Sequence, residues 1–153
     1  MSDESNINGS VEQSQALTAQ SALILKNPEP LRRIDLVVQE HEKLLANPDI
    51  GPTERMAITA NAVHQLRTLF PEPLVALIKG LENTALGFLT DKKDKGGYPL
   101  PVIRDCLIEG LLNGVRPVGN EFNILAGRCY VTKQGFQGKM LRDVRFNQVR
   151  IKF

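Results

Sequence analysis

The chain has 153 residues, 42% of them apolar, and a formal net charge of +2 at pH 7. This length fits one globular domain, and no apolar run approaches the roughly 20 residues that a membrane-spanning helix needs. Large apolar side chains are scarce in the first 24 residues. We therefore expect a disordered tail over 1–26 and a single α+β domain over 27–153.

The N-terminal segment also lacks the basic start and apolar run of a secretory signal. The two cysteines, Cys106 and Cys129, show no metal-ligand spacing, so reduced thiols are favoured over a disulfide. We expect a cytoplasmic protein with no membrane association.

The net charge conceals an asymmetry along the chain. Residues 1–127 hold 12 basic and 16 acidic side chains, whereas residues 128–153 hold seven basic side chains against Asp143 alone. The seven cations are Arg128, Lys133, Lys139, Arg142, Arg145, Arg150 and Lys152. A basic segment on an acidic body predicts an edge that binds polyanions, with a solvated surface as the alternative.

Helical periodicity dominates the N-terminal half. Apolar residues recur at helical spacing from Ile34 to Leu45, and a second helix is predicted from Pro52 to Leu69, with a short third helix around 74–81. A fourth runs from about Pro99 to Asn113, because Gly114 suits the position after a helix end. The predicted fold class is therefore α+β, a helical half followed by a short antiparallel sheet and a basic helix.

A charged, glycine-ended loop interrupts the helices between Leu86 and Tyr98. Its pattern favours a β-hairpin or a mobile surface loop. Three lysines, Lys92, Lys93 and Lys95, are candidates for phosphate contact. Asp91 and Asp94 nearly cancel their charge, so we favour a plain solvated surface.

Two short strands are predicted at 122–125 and 128–131, joined by Ala126-Gly127. Thr132 is a candidate N-cap for a helix that runs to about Asp143. Residues 149–153 alternate apolar and basic side chains, which predicts a last strand. Because the chain stops within that strand, we expect the domain to be incomplete at its C-terminus.

No catalytic pattern accompanies these elements. Glu40-His41-Glu42 lacks the histidine pair that a helical zinc site needs. We interpret both His41 and His64 as packed or surface histidines on predicted helices. The sequence shows no phosphate-binding loop of the nucleotide-hydrolysing type and no activated nucleophile. We therefore expect no enzyme activity, no metal and no cofactor.

Single-stranded nucleic acid is the better partner, since such binders combine a cationic groove with aromatic side chains beside the bases. The seven cations are interleaved with Tyr130, Phe136 and Phe146. We expect Phe136 to belong to the core, and we leave Tyr130 and Phe146 open as stacking residues. The candidate DNA-binding set is thus Arg128, Tyr130, Lys133, Lys139, Arg142, Arg145, Phe146, Arg150 and Lys152. Four glycines, Gly114, Gly127, Gly135 and Gly138, are predicted to shape the backbone.

The order of these features resembles the RecT-like single-strand annealing proteins of phages. The matching residues are 114–117, strand 122–125, and Gly135-Phe136-Gln137-Gly138 before Lys139. The resemblance implies an ATP-independent recombinase that binds single-stranded DNA, oligomerises and pairs complementary strands, with Lys139 on a phosphate. It also implies a phage exonuclease or a host single-strand binding protein as partner. Gln137 stands where the family usually has a basic residue, which weakens one expected contact.

Two other functions remain open from the residues. One is a non-catalytic helical protein-interaction module whose basic edge meets an acidic partner. The other is a small nuclease, which would cleave DNA only with a divalent metal.

Overall fold

The computed structural model describes Glu12, Gln15, Ala19 and residues 21–142. Its helices are α1 (Glu29–Leu45), α2 (Pro52–Leu69), α3 (Glu72–Lys79), α4 (Leu100–Leu112) and α5 (Lys133–Arg142). Strands β1 (Phe122–Leu125) and β2 (Arg128–Val131) lie between α4 and α5, and a 3-10 turn covers Lys93–Lys95. The predicted α+β class is confirmed, with a helical N-terminal half, a two-stranded antiparallel sheet and a following helix.

Proline sets the start of the first four helices. Pro30, Pro52, Pro73 and Pro101 each occupy a first-turn position. The ring fixes φ near its helical value, and the missing N–H would have no helical partner there. This preference accounts for the start of α2 at Pro52. The predicted bounds of α2, Pro52 to Leu69, are confirmed to the residue.

The core is built around α4, which contacts α1, α2, α3 and β2. Its buried side chains include Ile103, Leu107 and Ile108. From the strand side, the rings of Phe88 and Phe122 stack with their centroids 5.7 Å apart. Both rings belong to the same buried cluster as the side chains of α4. Burial of this apolar surface stabilises the packing of the sheet on the helices by roughly 25 cal/mol per Å².

A Schellman motif ends α4. The Val115 N–H donates to the Gly110 carbonyl at 2.9 Å and the Gly114 N–H donates to the Leu111 carbonyl at 3.0 Å. Gly114 has a φ of +77°, a conformation that glycine adopts without a side-chain clash. The chain therefore reverses toward β1 at the residue that the sequence indicated.

The two strands pair in the register Phe122 with Val131 and Leu125 with Arg128. Ala126 and Gly127 have φ values of +50° and +73°, which is a type I′ turn. Such a turn matches the right-handed twist of the strands it joins. Asn123, Leu125, Arg128 and Tyr130 consequently lie on the outer face of the hairpin.

Two segments differ from expectation. Residues 21–26 are helical, inside the region expected to be disordered. The segment after Leu86 forms no hairpin across the charged loop, because Thr90 pairs with Ile124 in a parallel bridge. The end of the basic helix near Asp143 and the last predicted strand, 149–153, lie outside the described residues.

Candidate nucleic-acid interface

The outer face of the hairpin carries an aromatic side chain beside a cation. Tyr130 is 50% exposed, and Arg128 is exposed two residues earlier on the same strand. Since alternate residues of a strand point the same way, the ring and the guanidinium share one surface. Leu125 faces Arg128 across the hairpin and is 41% exposed.

A third segment widens this face beside β1. The Ile124 N–H donates to the Leu89 carbonyl at 2.9 Å, and the Asp91 N–H donates to the Ile124 carbonyl at 3.3 Å. The Leu89 N–H also donates to the Asn123 side-chain oxygen at 3.3 Å. Leu89 is nearly half exposed while its neighbour Phe88 is buried. Leu89 therefore extends the outer surface that Tyr130 and Leu125 begin.

Helix α5 begins directly after β2. Thr132 caps it, as its hydroxyl oxygen accepts the Gly135 N–H at 3.1 Å. The same hydroxyl donates to the Glu121 carbonyl at 3.0 Å, which joins the helix start to the segment before β1. The predicted N-cap is confirmed.

The candidate cations of this region fall into two groups. Lys133 and Lys139 are exposed, and neither belongs to an ion pair among residues 21–142. Arg142 instead donates to both oxygens of Glu121, at 2.8 and 2.9 Å, and to the Gly114 carbonyl at 2.8 Å. Its guanidinium is therefore occupied by the protein itself.

The ion pair of Glu121 and Arg142 alters the pKa of both groups. Hydrogen bonds from Arg142 lower the pKa of Glu121, partly opposed by burial. The Arg116 N–H, which donates to Glu121 at 2.8 Å, lowers that pKa further. The bond to Glu121 likewise raises the pKa of Arg142. The carboxylate thus holds the end of α5 against the turn after α4.

Two glycines bring α5 close to that turn. A Cβ at Gly135 would lie 2.0 Å from the Glu121 carbonyl oxygen, and a Cβ at Gly138 would lie 2.9 Å from the Glu121 carboxylate. At Gly135 a larger residue would push the helix away from the backbone of Glu121, whereas at Gly138 it would displace the side chains of Glu121 and Arg142. Gly127 has a positive φ in the hairpin turn, as Gly114 has at the end of α4.

Phe136 corrects one expectation. We expected this ring in the core, but it is 59% exposed. The glycine face of α5 packs inward, so the helix turns Phe136, Met140 and Leu141 outward, and all three are exposed. A four-residue spacing shows that Phe136 and Met140 share a face, but it does not show which face the protein covers.

The tip of the hairpin is tied to the charged loop by two side chains. Asp91 accepts the Ala126 N–H at 3.0 Å and also accepts the Tyr98 hydroxyl. The Tyr98 oxygen in turn accepts the Gly127 N–H at 3.0 Å. The Tyr98 bond lowers the pKa of Asp91 and raises that of Tyr98. The sequence carried no signal for this connection, since 35 positions separate Asp91 from Ala126 and 29 separate Tyr98 from Gly127.

The remaining candidate positions, Arg145, Phe146, Arg150 and Lys152, lie outside the described residues. The structure therefore places Arg128 and Tyr130 together on β2, puts Lys133 at the start of α5 that follows, and places Lys139 farther along α5 beside Gly114. Arg142 belongs to an internal ion pair.

His41 and the two cysteines are buried or partly buried in the fold. His41 is buried and its Nε2 lies 3.0 Å from the Thr59 hydroxyl, and burial lowers its pKa. Burial raises the pKa of the Cys106 and Cys129 thiols to about 12. Within the described part of the chain, no three His, Cys, Asp or Glu side chains are placed to hold a metal ion. No helix there is both long and apolar enough to cross a bilayer.

Comparison of the chain with protein-family models, with curated proteins and with solved structures gives no match.

Proposed function

We propose that this protein binds single-stranded DNA on the outer face of the hairpin and on the adjoining start of α5. The observation that carries the proposal is the half-exposed ring of Tyr130, which shares its face with Arg128. Lys133 is the exposed first residue of α5, three residues after Tyr130, and it has no ion-pair partner among the residues described. An aromatic surface next to unpaired cations suits bases and phosphates together.

The binding is independent of sequence. Every base offers a π-face to Tyr130, while Arg128, Lys133 and Lys139 contact the sugar–phosphate backbone. Leu89 and Leu125 add apolar surface beside the ring. Arg142 contributes differently from the other cations, because it holds α5 in place through Glu121.

The proposal continues to strand annealing without ATP, in the manner of the RecT-like proteins. Support comes from the glycine-ended helix α4, the hairpin and the Gly135-Phe136-Gln137-Gly138 segment, which lies within α5, in the same order. Several copies of the chain would hold one strand with its bases accessible to a complementary strand. This function needs no cofactor and no enzymatic step.

The first test is binding of a fluorescent oligonucleotide across a salt series. If three to five cations touch phosphates, log affinity falls with log salt at a slope of about −2 to −3.5. The variant R128Q/K133Q should lower the magnitude of the slope by about 1.4 and weaken binding about 25-fold at 0.1 M salt. The control R32Q/K43Q removes the same charge from α1, where both side chains are exposed, and should bind like the wild type. Binding that does not respond to salt would rule out the proposal.

Variants of Tyr130 distinguish the contribution of base stacking to binding from the contribution of charge. Tyr130→Ala should weaken binding about 5- to 150-fold with an unchanged salt slope, because stacking on an aromatic side chain contributes about 1–3 kcal/mol per base. Tyr130→Phe keeps the ring and should bind like the wild type. Annealing is then followed by mixing complementary labelled strands with the protein in the absence of ATP.

A second candidate function is a protein-interaction module. The observation that favours it is the exposed apolar face of α5, formed by Phe136, Met140 and Leu141. An acidic partner could then meet Lys133 and Lys139 around it. Unchanged oligonucleotide binding by R128Q/K133Q would favour this alternative.

A further inference from the structure

The charged loop of residues 91–97 has a defined shape. Its 3-10 turn places the Lys95 N–H and the Gly97 N–H on the Lys92 carbonyl, both at 3.0 Å. Gly96 and Gly97 have φ values of +79°, and the Tyr98 N–H donates to Glu82 at 2.9 Å where the loop ends. The lysines are therefore presented from a folded turn.

The loop is also attached to the hairpin tip. Asp91, its first residue, accepts the Ala126 N–H at 3.0 Å, and Tyr98, which follows its last residue, accepts the Gly127 N–H at 3.0 Å. Both ends of the loop thus meet the two turn residues that immediately precede Arg128. The loop that carries Lys93 and Lys95 is thus anchored next to Arg128, although these lysines lie more than 30 positions before it in the sequence.

The charges of the loop do not neutralise one another in pairs. Each oxygen of Asp91 accepts a hydrogen bond from Ala126 or Tyr98. The Lys92 amine lies over the Tyr98 ring, 4.8 Å from its centroid. Lys93 and Lys95 are exposed, and the ion pairs formed among residues 21–142 include neither of them. Asp94 is then the one remaining carboxylate in the turn, and it is outnumbered by the ammonium groups of Lys93 and Lys95.

We infer that Lys93 and Lys95 form a second phosphate-binding element, which extends the single-strand surface past Arg128 around the tip of the hairpin. This inference rests on the proposed function and adds to it a part of the chain outside the basic C-terminal segment. A single strand crossing Tyr130 then continues over Arg128 onto the loop. The element recognises the sugar–phosphate backbone and carries no base preference.

The test compares K93Q/K95Q with K26Q/K43Q, which removes two exposed lysines at or before α1. Two lost phosphate contacts reduce the magnitude of the salt slope by about 1.4 and weaken single-strand binding about 25-fold at 0.1 M salt. The control should stay within about twofold of the wild type. Equal affinities for the two variants would overturn the inference.

A second measurement uses the unmodified protein. Amine-reactive labelling followed by mass spectrometry reports each lysine with and without a saturating oligonucleotide. Protection of Lys93, Lys95 and Lys133, with none at Lys43, supports the inference. Protection of Lys133 without Lys93 and Lys95 overturns it and leaves the proposed function standing. A wild-type protein that binds no oligonucleotide overturns both.

Discussion

Arg142 and Glu121 form a bidentate ion pair, with guanidinium nitrogens 2.8 and 2.9 Å from the two carboxylate oxygens. The pair joins the end of α5 to the residue before β1, across 21 positions of sequence. A cation that the sequence offered as a DNA contact thus orients the helix that carries Lys133 and Lys139.

Removing the carboxylate should loosen α5. We expect Glu121→Gln to lower the free energy of unfolding by about 1 kcal/mol, a value reduced for the partial exposure of Arg142. Asp105→Asn is the control, because the Arg67–Asp105 pair is more exposed, with side chains 51% and 40% accessible, and should contribute little. Urea denaturation at pH 7 measures both, and equal effects would contradict a structural role for Glu121.

The contribution of Glu121 to the free energy of unfolding should disappear in acid. Its pKa in the folded protein lies below the ordinary value of 4.5, so its stabilisation is complete above that pH and is lost as the pH falls through the folded pKa. We expect the difference in unfolding free energy between wild type and Glu121→Gln to shrink from pH 5 to pH 3. Asp91, whose pKa is also lowered, is present in both proteins and cancels. A difference that stays constant down to pH 3 would contradict the prediction.

The close contact between Gly135 of α5 and the backbone of Glu121 should leave no room for an added methyl group. In Gly135→Ala the new Cβ would lie 2.0 Å from a backbone oxygen of Glu121, so we expect a loss of about 1–3 kcal/mol. Gln137→Ala, at an exposed position of the same helix, should change stability by less than about 0.5 kcal/mol. Thermal denaturation of the two variants provides the comparison, and a neutral Gly135→Ala would refute the close packing.

Truncation of Phe122 and of Phe136 should change the free energy of unfolding by very different amounts. Phe122 is fully buried whereas Phe136 is 59% exposed. Phe122→Ala should therefore cost about 3–5 kcal/mol, and Phe136→Ala less than about 0.5 kcal/mol. If chemical denaturation gave similar losses, Phe136 would belong to the core after all.

The two thiols should react slowly. With pKa values raised to about 12 by burial, each has about a thousandfold less thiolate at pH 8 than a free cysteine. We expect a thiol-specific reagent to label Cys106 and Cys129 rapidly only after urea denaturation. Rapid labelling of the native protein would show that one of these sites opens.

Local signals predicted much of the architecture. The first-turn prolines, the glycine after α4 and the two-residue link between short alternating runs define where elements begin and end, and α2, β1 and β2 have the predicted bounds. Such signals act through the backbone conformation of one or a few neighbouring residues. Lys133 and Lys139 were also identified as part of the basic segment after residue 127, and the structure shows that both are exposed.

Other features required the packed chain. Whether Phe136 is buried, whether Arg142 is free, and whether the loop after Asp91 is joined to the hairpin tip all depend on contacts between distant segments. The sequence by itself determined most of the secondary structure between Glu29 and Val131 and the charge asymmetry, because both arise from residues close together along the chain. Only the tertiary structure decided which cations are left unpaired and which aromatic ring faces outward, because burial and ion pairing depend on where distant backbone segments meet.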